Sequence, residues 1–181
     1  MEYITMQEVW DQIEAIPGYA RKKSSLLKVR EFLSLLGEPD REFQVIHVAG
    51  TNGKGSTAAM LSSVLTKAGY KTGLYTSPHL MRYNERMKIN GQDIPNEDFI
   101  EAAETVKKVC DKMGGVPIVF EILTLMALWY FAKEQCGSED ALMRPTVFLP
   151  QRQRLSPSWD WIIPKRWEIP LKRLQRKKVE S

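Results

Sequence analysis

A glycine-rich heptapeptide, GTNGKGS, occupies residues 50–56 between a short β-branched run and a run of small residues. Glycines permit positive φ angles and close approach of the backbone, and a turn that leads into a helix presents free amide groups to an anion. Lys54 adds a positive charge toward the β- and γ-phosphates. The pattern predicts a cradle for a nucleoside triphosphate, made of Gly50, Thr51, Asn52, Gly53, Lys54, Gly55 and Ser56.

The spacing of this heptapeptide differs from the common phosphate-loop pattern G-x-x-x-x-G-K-S/T. Only two residues separate Gly50 from Gly53, and Gly55 stands between Lys54 and Ser56. The alternative interpretation is a glycine turn with an incidental lysine. The predicted strand before the heptapeptide and the predicted helix after it favour phosphate binding.

Hydrophobic periodicity predicts the elements that position the heptapeptide. Helices are predicted at 6–16, 24–36, 57–67, 96–114 and 120–133, and strands at 43–49 and 72–76. A strand, a helix and a strand within about 35 residues form a βαβ unit, which requires parallel strands. The segment 77–95 is predicted to be a long loop with a hairpin around Asn90-Gly91, and Asn96 is placed to cap the helix that follows it.

Composition indicates a soluble globular protein of about one domain. The chain has 181 residues, of which 43% are hydrophobic and 27% charged, and no apolar stretch approaches the roughly 18 residues of a membrane span. The N-terminus lacks the pattern of a signal peptide, so we expect a cytoplasmic protein without a membrane partner. Cys110 and Cys136 show no metal-ligand spacing and are expected to be reduced thiols without a catalytic role.

The net charge of +4 comes entirely from the end of the chain. Residues 137–181 hold ten Lys/Arg against five Asp/Glu, which leaves 16 against 17 for residues 1–136. The same segment holds five of the ten prolines and three of the five tryptophans, without regular periodicity. A boundary near Cys136 therefore divides the chain into 1–136 and 137–181.

Three motifs, in this order, give the chain a family resemblance. HVAGTNGKGS at 47–56, TSPHLMRYNERMKING at 76–91 and FEILT at 120–124 resemble folylpolyglutamate synthase and the bifunctional dihydrofolate synthase of the Mur ligase superfamily. The resemblance covers residues 1–136. It implies an α/β fold: a truncated, P-loop-containing three-layer αβα domain with a parallel sheet, of the Mur ligase ATP-binding type.

The resemblance also implies an activity. Similar enzymes are ATP-dependent ligases, monomeric when intact, which phosphorylate a carboxylate of folate or tetrahydrofolate so that the amine of L-glutamate attacks the acyl phosphate. They require ATP and Mg²⁺, which neutralises charge on the transferring phosphoryl group. The expected substrates are folates and L-glutamate, and no specific nucleic acid is expected to bind.

The family's functional residues map onto this chain by position. Lys54 corresponds to the residue that stabilises the γ-phosphate, and Ser77 to a magnesium-ligand serine. His79, Arg82 and Arg86 lie on the folate loop, where cations meet an acidic substrate. The segment that lines the pterin pocket corresponds to Ile118, Val119, Phe120 and Glu121.

Each of these assignments has a structural alternative. Ser77 is also a suitable residue to begin a turn before Pro78. Phe120 is equally consistent with an ordinary core residue, and Arg82 and Arg86 with a solvated surface.

The segment after Cys136 is consistent with a frameshift. Tryptophan has the single codon TGG, so the bases of Trp159-Asp160-Trp161-Ile162, read from the third position of each codon, must encode Gly-Leu-Asp followed by Tyr, His or Asn. Gly-x-Asp-His is a later motif of similar enzymes, and the same shift lets residues 139–146 encode Gly-Arg-Leu-Asp-Ala-Thr-Asn. We therefore expect 137–181 to be a non-native, poorly ordered basic tail, and the chain to be inactive as a ligase. An unshifted gene sequence across codons 130–145 would contradict this.

Two other functions remain open. A catalytically dead nucleotide-binding fragment would bind ATP without turnover. A basic nucleic-acid-binding protein would use residues 165–178 and would show strongly salt-dependent binding.

Overall fold

The structure, a computed structural model, describes residues 5–16, 26–48, 52–115, 117–136 and 145–148. The helices within these ranges are α1 Met6–Glu14, α2 Leu26–Leu35, α3 Lys54–Lys67, α4 Asn96–Met113 and α5 Val119–Lys133, with short 3-10 helices at Pro39–Arg41 and Tyr83–Arg86. The strands are β1 Gln44–His47, β2 Gly73–Tyr75, β3 Met87–Ile89, β4 Gln92–Asp93 and β5 Pro145–Phe148. Within the described part of the chain, no helix is both long and apolar enough to cross a membrane.

Within the described residues, the predicted elements of 1–136 are confirmed, and no end is shifted by more than three residues. The largest shift is at α3, which begins at Lys54 rather than at residue 57. The predicted hairpin is also present, since β3 and β4 pair as antiparallel strands around Asn90 and Gly91.

The strands form one sheet in the order β1-β5-β2-β3-β4. β1, β5 and β2 run parallel, as the βαβ pattern predicts, whereas β3 and β4 extend the sheet as an antiparallel hairpin. The sheet is therefore mixed. β3 is antiparallel to β2 because a loop, and not a crossover helix, joins the two strands.

Four residues of the segment 137–181, which we expect to be poorly ordered, form the strand β5. Residues 145–148 lie in the sheet between β1 and β2, in parallel register with both. The Thr-Val-Phe sequence has high β-propensity, which explains why these residues suit a strand. The rest of 137–181 lies outside the described residues.

Helices cover both faces of the sheet at β2. Side chains alternate between the two faces of a strand, so Leu74 lies on the face of the sheet opposite to that of Gly73 and Tyr75. Leu74 packs in a small cluster with Ala58 of α3. On the other face, the Tyr75 ring lies 6.3 Å from that of Phe120 in α5, and Gly73 lies against the ring of Phe131. The main core lies on the α5 side, so α3, the sheet and the α4–α5 pair form three layers.

The prediction that Asn96 caps α4 is wrong. Asn96 is the first residue of the helix, and the N-cap position belongs to Pro95 without a side-chain cap. The Asn96 side chain is engaged elsewhere: its Oδ1 accepts a hydrogen bond from Nδ2 of buried Asn84 at 3.1 Å. Two acidic residues in the first turn, Glu97 and Asp98, interact favourably with the helix dipole instead.

Candidate functional site

The N-terminus of α3 is the first part of the site. Gly53 occupies the N-cap position with φ +72°, in the left-handed region that favours glycine. Because glycine has no side chain, this helix has no side-chain cap. Both the amide and the hydroxyl of Thr57 donate to the Gly53 carbonyl at 2.9 Å. The amides of Gly55 and Ser56 are also in the first turn, where helical N–H groups have no partner within the helix.

The surroundings of these amides suit an anion. The first turn of α3 holds no acidic residue, so no side chain of that turn neutralises the positive end of the helix dipole. Asn52, Gly53, Gly55 and Ser56 are exposed, and Lys54 is half-buried. A Cβ added at Gly53 or Gly55 would meet no atom of the described residues within 4 Å, which leaves room for a phosphate group. Gly50 and Thr51 of the predicted cradle lie outside the described residues.

The glycine-rich segment and Ser77 emerge at the same edge of the sheet. β5 is parallel to both neighbours, with Phe148 paired to His47 at the end of β1 and to Tyr75 at the end of β2. The carboxyl ends of β1 and β2 are thus level, and two strand spacings put them about 10 Å apart. Ligands of open α/β sheets bind in the crevice outside this edge.

α5 brings a third segment to this edge. Phe131, near its C-terminus, touches Gly73 at the start of β2, whereas Phe120, in its first turn, lies beside Tyr75 at the end of β2. α5 therefore runs antiparallel to β2, and its N-terminus lies where β2 ends. This geometry brings Ile118, Val119, Phe120 and Glu121 to the carboxyl edge, together with Ser77 and the N-terminus of α3.

Ser77 has a buried hydroxyl without a partner. Among the described residues, no group hydrogen-bonds its Oγ, although this atom is inaccessible to solvent. A turn-forming serine would use its hydroxyl to bond a nearby backbone group. A buried hydroxyl oxygen with free lone pairs fits a hard cation better, because Mg²⁺ prefers oxygen ligands. No group of three or more His, Cys, Asp or Glu suited to a metal occurs in the described ranges.

The loop from 76 to 86 is tied at its base, where the Thr76 amide donates to the Arg86 carbonyl at 2.9 Å. The predicted substrate-binding residues His79 and Arg82 lie on this loop. Arg82 is exposed, and its guanidinium lies 3.7 Å from the Asp93 carboxylate. The exposed Arg82 is thus available to an anionic ligand at the cost of a weak surface ion pair.

His79 does not supply the positive charge expected of it. Its Nδ1 accepts a hydrogen bond from Nε of Arg86 at 2.8 Å, which requires an unprotonated nitrogen. Burial, and then the charge of Arg86, lower the pKa of His79 below its ordinary value. The Arg86 guanidinium also lies 5.5 Å from the centre of the Tyr83 ring. His79 and Arg86 therefore form a hydrogen-bonded pair in which Arg86 carries the positive charge.

The first turn of α5 combines an aromatic and a carboxylate group. Phe120 is half-buried: its ring packs near that of Tyr75 in the core, and part of it is exposed to solvent. Glu121 is buried, and its Oε2 accepts from the Ile118 amide at 3.2 Å. Its other oxygen, Oε1, has no hydrogen-bond partner among the described residues. Ile118 and Val119 are half-buried.

Both cysteines are buried free thiols, and neither lies in the segments described above. Burial raises the pKa of Cys110, and it raises that of Cys136 to about 12. Thiols with raised pKa values are poor nucleophiles.

Three residues of the site were not predicted from the sequence. Leu80 and Met81 are 91% and 84% exposed on the loop, and the carboxylate of Glu85 accepts three main-chain hydrogen bonds from the same loop. Two adjacent large apolar residues within an otherwise polar segment were the only sequence signal.

Comparison with known proteins gives consistent matches. The dihydrofolate synthase/folylpolyglutamate synthase of Bacillus subtilis (strain 168) is 38% identical over 115 residues, which are 61% of this chain and 27% of that protein. The apo form of the L. casei enzyme FPGS superposes with a TM-score of 0.72 at 31% identity, over 81% of this chain and 35% of that one.

A further solved structure is an FPGS complex with AMPPCP and folate. It matches with a TM-score of 0.68 and 31% identity, over 81% of this chain and 35% of that one. No family model matches the chain. The stretch that matches the B. subtilis relative is 27% of that protein, so the chain spans less than a third of its length.

Proposed function

We propose that this chain, which over its matched residues is homologous to the folylpolyglutamate and dihydrofolate synthases, is the ATP-binding part of a ligase that adds L-glutamate to folate. The observation that carries the proposal is the convergence at one sheet edge of the α3 N-terminus, Ser77 and the first turn of α5. A similar structure holds AMPPCP, an analogue of ATP, together with folate. This complex supports the proposal that ATP and folate are the ligands of this site.

The α3 N-terminus would hold the nucleotide phosphates. The amides of Lys54, Gly55 and Ser56 would donate to phosphate oxygens, with the helix dipole aligned. Lys54 would place its ammonium group near the β- and γ-phosphates, where negative charge is densest. Gly53 and Gly55 would let the phosphates approach the backbone, because neither has a side chain in the way.

Mg²⁺ fits beside the phosphates. Ser77 would hold it through the buried Oγ, with phosphate oxygens and water as the other ligands, which is the usual arrangement for this ion. When bound, Mg²⁺ would neutralise charge on the phosphoryl group that is transferred to the folate carboxylate.

The folate would lie against the α5 and loop residues. Phe120, with Ile118 and Val119, offers a partly exposed apolar surface to the flat pterin, and Glu121 lies beside them. Arg82 is placed to meet the carboxylates of the substrate, and Arg86 adds a second positive charge nearby. The acyl phosphate intermediate would form on a folate carboxylate, and the amine of L-glutamate would displace the phosphate.

The second candidate is an ATP-binding fragment without turnover. In the same proposal, residues 1–136 are the ATP-binding part and 137–181 derive from a frameshift, although residues 145–148 of that segment pair in the sheet as β5. A coupled ADP-release assay with tetrahydrofolate and glutamate separates the candidates. We expect ATP binding and no ADP release above background, whereas sustained release dependent on both substrates would establish a complete ligase.

Replacing Ser77 with alanine should reduce the effect of Mg²⁺ on ATP binding without destabilising the fold. No hydrogen bond of Ser77 Oγ is lost, so the free energy of unfolding should stay the same or rise slightly. The Mg²⁺-dependent gain in ATP affinity should fall about ten-fold, as expected for the loss of about 1.4 kcal/mol. ATP titrations with Mg²⁺ and with EDTA measure this gain.

A matched control is Ser63→Ala on the exposed side of α3, away from the sheet edge. It should leave the Mg²⁺ effect unchanged. Equal Mg²⁺ dependence in the Ser77 variant and the unaltered chain would exclude Ser77 as a ligand.

A further inference from the structure

A buried asparagine, Asn84, joins the short 3-10 helix Tyr83–Arg86 to the segment that leads into α4. Asn84 is 2% exposed, and its Nδ2 donates to the Ile94 carbonyl at 2.9 Å and to Oδ1 of Asn96 at 3.1 Å. Both acceptors lie where β4 ends and α4 begins. Because a buried carbonyl that loses its donor is costly, these two bonds fix the short helix on that junction.

The short helix in turn fixes the start of the loop that follows β2. The Thr76 amide donates to the Arg86 carbonyl at 2.9 Å, which extends the pairing of β2 with β3 by one residue. Ser77 follows Thr76 directly. The loop of residues 77–82 is thus held by β2 at one end and by the short helix at the other. The position of Ser77 therefore depends on how firmly the short helix is anchored.

A second asparagine makes a similar anchor at the opposite edge of the sheet. Asn90 lies in the turn between β3 and β4, and its Oδ1 accepts from the Thr72 amide at 2.9 Å. Thr72 directly precedes β2, whereas Ser77 lies beyond the carboxyl end of that strand. Asn84 and Asn90 thus anchor the same excursion of the chain at its two ends, and Asn84 is the one on the side of Ser77.

We propose that Asn84 is a positioning residue for the magnesium site, because it holds the loop that carries Ser77. This inference rests on the proposed function, in which Oγ of Ser77 holds Mg²⁺. Asn84 touches neither the ion nor the phosphates, since its Nδ2 is engaged and its Oδ1 is inaccessible to solvent. Residues that orient a metal ligand typically change metal affinity about ten- to a hundred-fold when they are replaced.

The test compares Asn84→Ala and Asn96→Ala with Ser77→Ala in the full chain. ATP titrations with Mg²⁺ and with EDTA measure the Mg²⁺-dependent gain in affinity, and hydrogen exchange measures protection of the Thr76 amide. Asn84→Ala should reduce the gain about three- to ten-fold and speed exchange of this amide about ten-fold, with ATP affinity in EDTA unchanged. Asn96→Ala removes one of the two acceptors, so it should give a smaller loss in the same direction. It decides the question if Asn84→Ala does not fold.

Asn90→Gly is the matched control, because glycine suits the φ of +50° at this position and the variant loses the bond to Thr72. It should leave the Mg²⁺-dependent gain unchanged. If Mg²⁺ does not strengthen ATP binding to the unaltered chain, the magnesium part of the proposed function fails, and this inference fails with it. If Ser77→Ala loses the gain while the folded variants at 84 and 96 keep it, this inference alone is overturned. An equal loss in Asn90→Gly would assign the effect to general destabilisation and would also overturn it.

Discussion

Replacing Lys54 with alanine is expected to weaken ATP binding about ten- to a hundred-fold. A hydrogen bond that involves a charged group contributes about 1.5–3 kcal/mol, and the ammonium of Lys54 is the only cationic side chain of the glycine-rich segment. The helix amides remain, so some affinity for phosphate should persist. Calorimetric titration with ATP and Mg²⁺ measures the change.

Lys67→Ala provides the matched control, because Lys67 ends the same helix. The two lysines are separated by about 20 Å along the helix axis, which exceeds the Debye length of about 8 Å at physiological ionic strength. Lys67→Ala should therefore leave ATP affinity nearly unchanged. Equal losses in both variants would point to a nonspecific effect of positive charge.

Replacing Gly73 with alanine should lower the free energy of unfolding by about 1–3 kcal/mol. A Cβ at this position would lie 2.9 Å from Cγ and Cδ1 of Phe131, a ring with no exposed surface that cannot move aside without disturbing the core. The reduced entropy of the unfolded chain offsets only part of this strain. Urea denaturation monitored by circular dichroism gives the difference.

Gly115→Ala is a suitable comparison, because a Cβ there meets no atom of the described ranges within 4 Å. It should change the stability by less than about 0.5 kcal/mol. Similar stability of the Gly73 and Gly115 variants would contradict the close packing of α5 on β2.

The sequence predicts the elements of residues 1–136 well, because their signals are local. Apolar spacing in α4 and the β-branched run of β1 each require only a window of a few residues. Glycines mark several ends: Gly37, Gly69 and Gly114 all have positive φ just after a helix. The phosphate-binding role of the glycine-rich segment is predicted for the same reason, since strand, turn and helix are contiguous.

Features that depend on distant partners were not predicted. β5 lies between β1 and β2 through pairing over about a hundred residues of chain, which no local pattern reveals. Asn96 has the residue type of a helix cap, yet a buried amide group, that of Asn84, is its partner. The sequence likewise does not show that Glu85 folds back on three amides, because that depends on the turn conformation.

The charge state of the loop residues at 79 and 86 also could not be predicted from the sequence, because it depends on their contacts. His79 and Arg86 are seven residues apart and were both interpreted as cations for an acidic substrate. In the structure they are hydrogen-bonded to each other, and burial, followed by the charge of Arg86, lowers the pKa of His79. The positive charge of the pair is therefore that of the arginine. Residue types indicate which groups are present, but their contacts decide which groups carry charge.

Calorimetric titration of the purified, folded chain with ATP in the presence of Mg²⁺ decides whether the α3 N-terminus was correctly identified as a nucleotide site. We expect saturable binding of one ATP per chain, weakened by EDTA and by Lys54→Ala. A chain that is folded by circular dichroism yet gives no binding heat at millimolar ATP and Mg²⁺ would show that the glycine-rich segment does not hold a nucleotide.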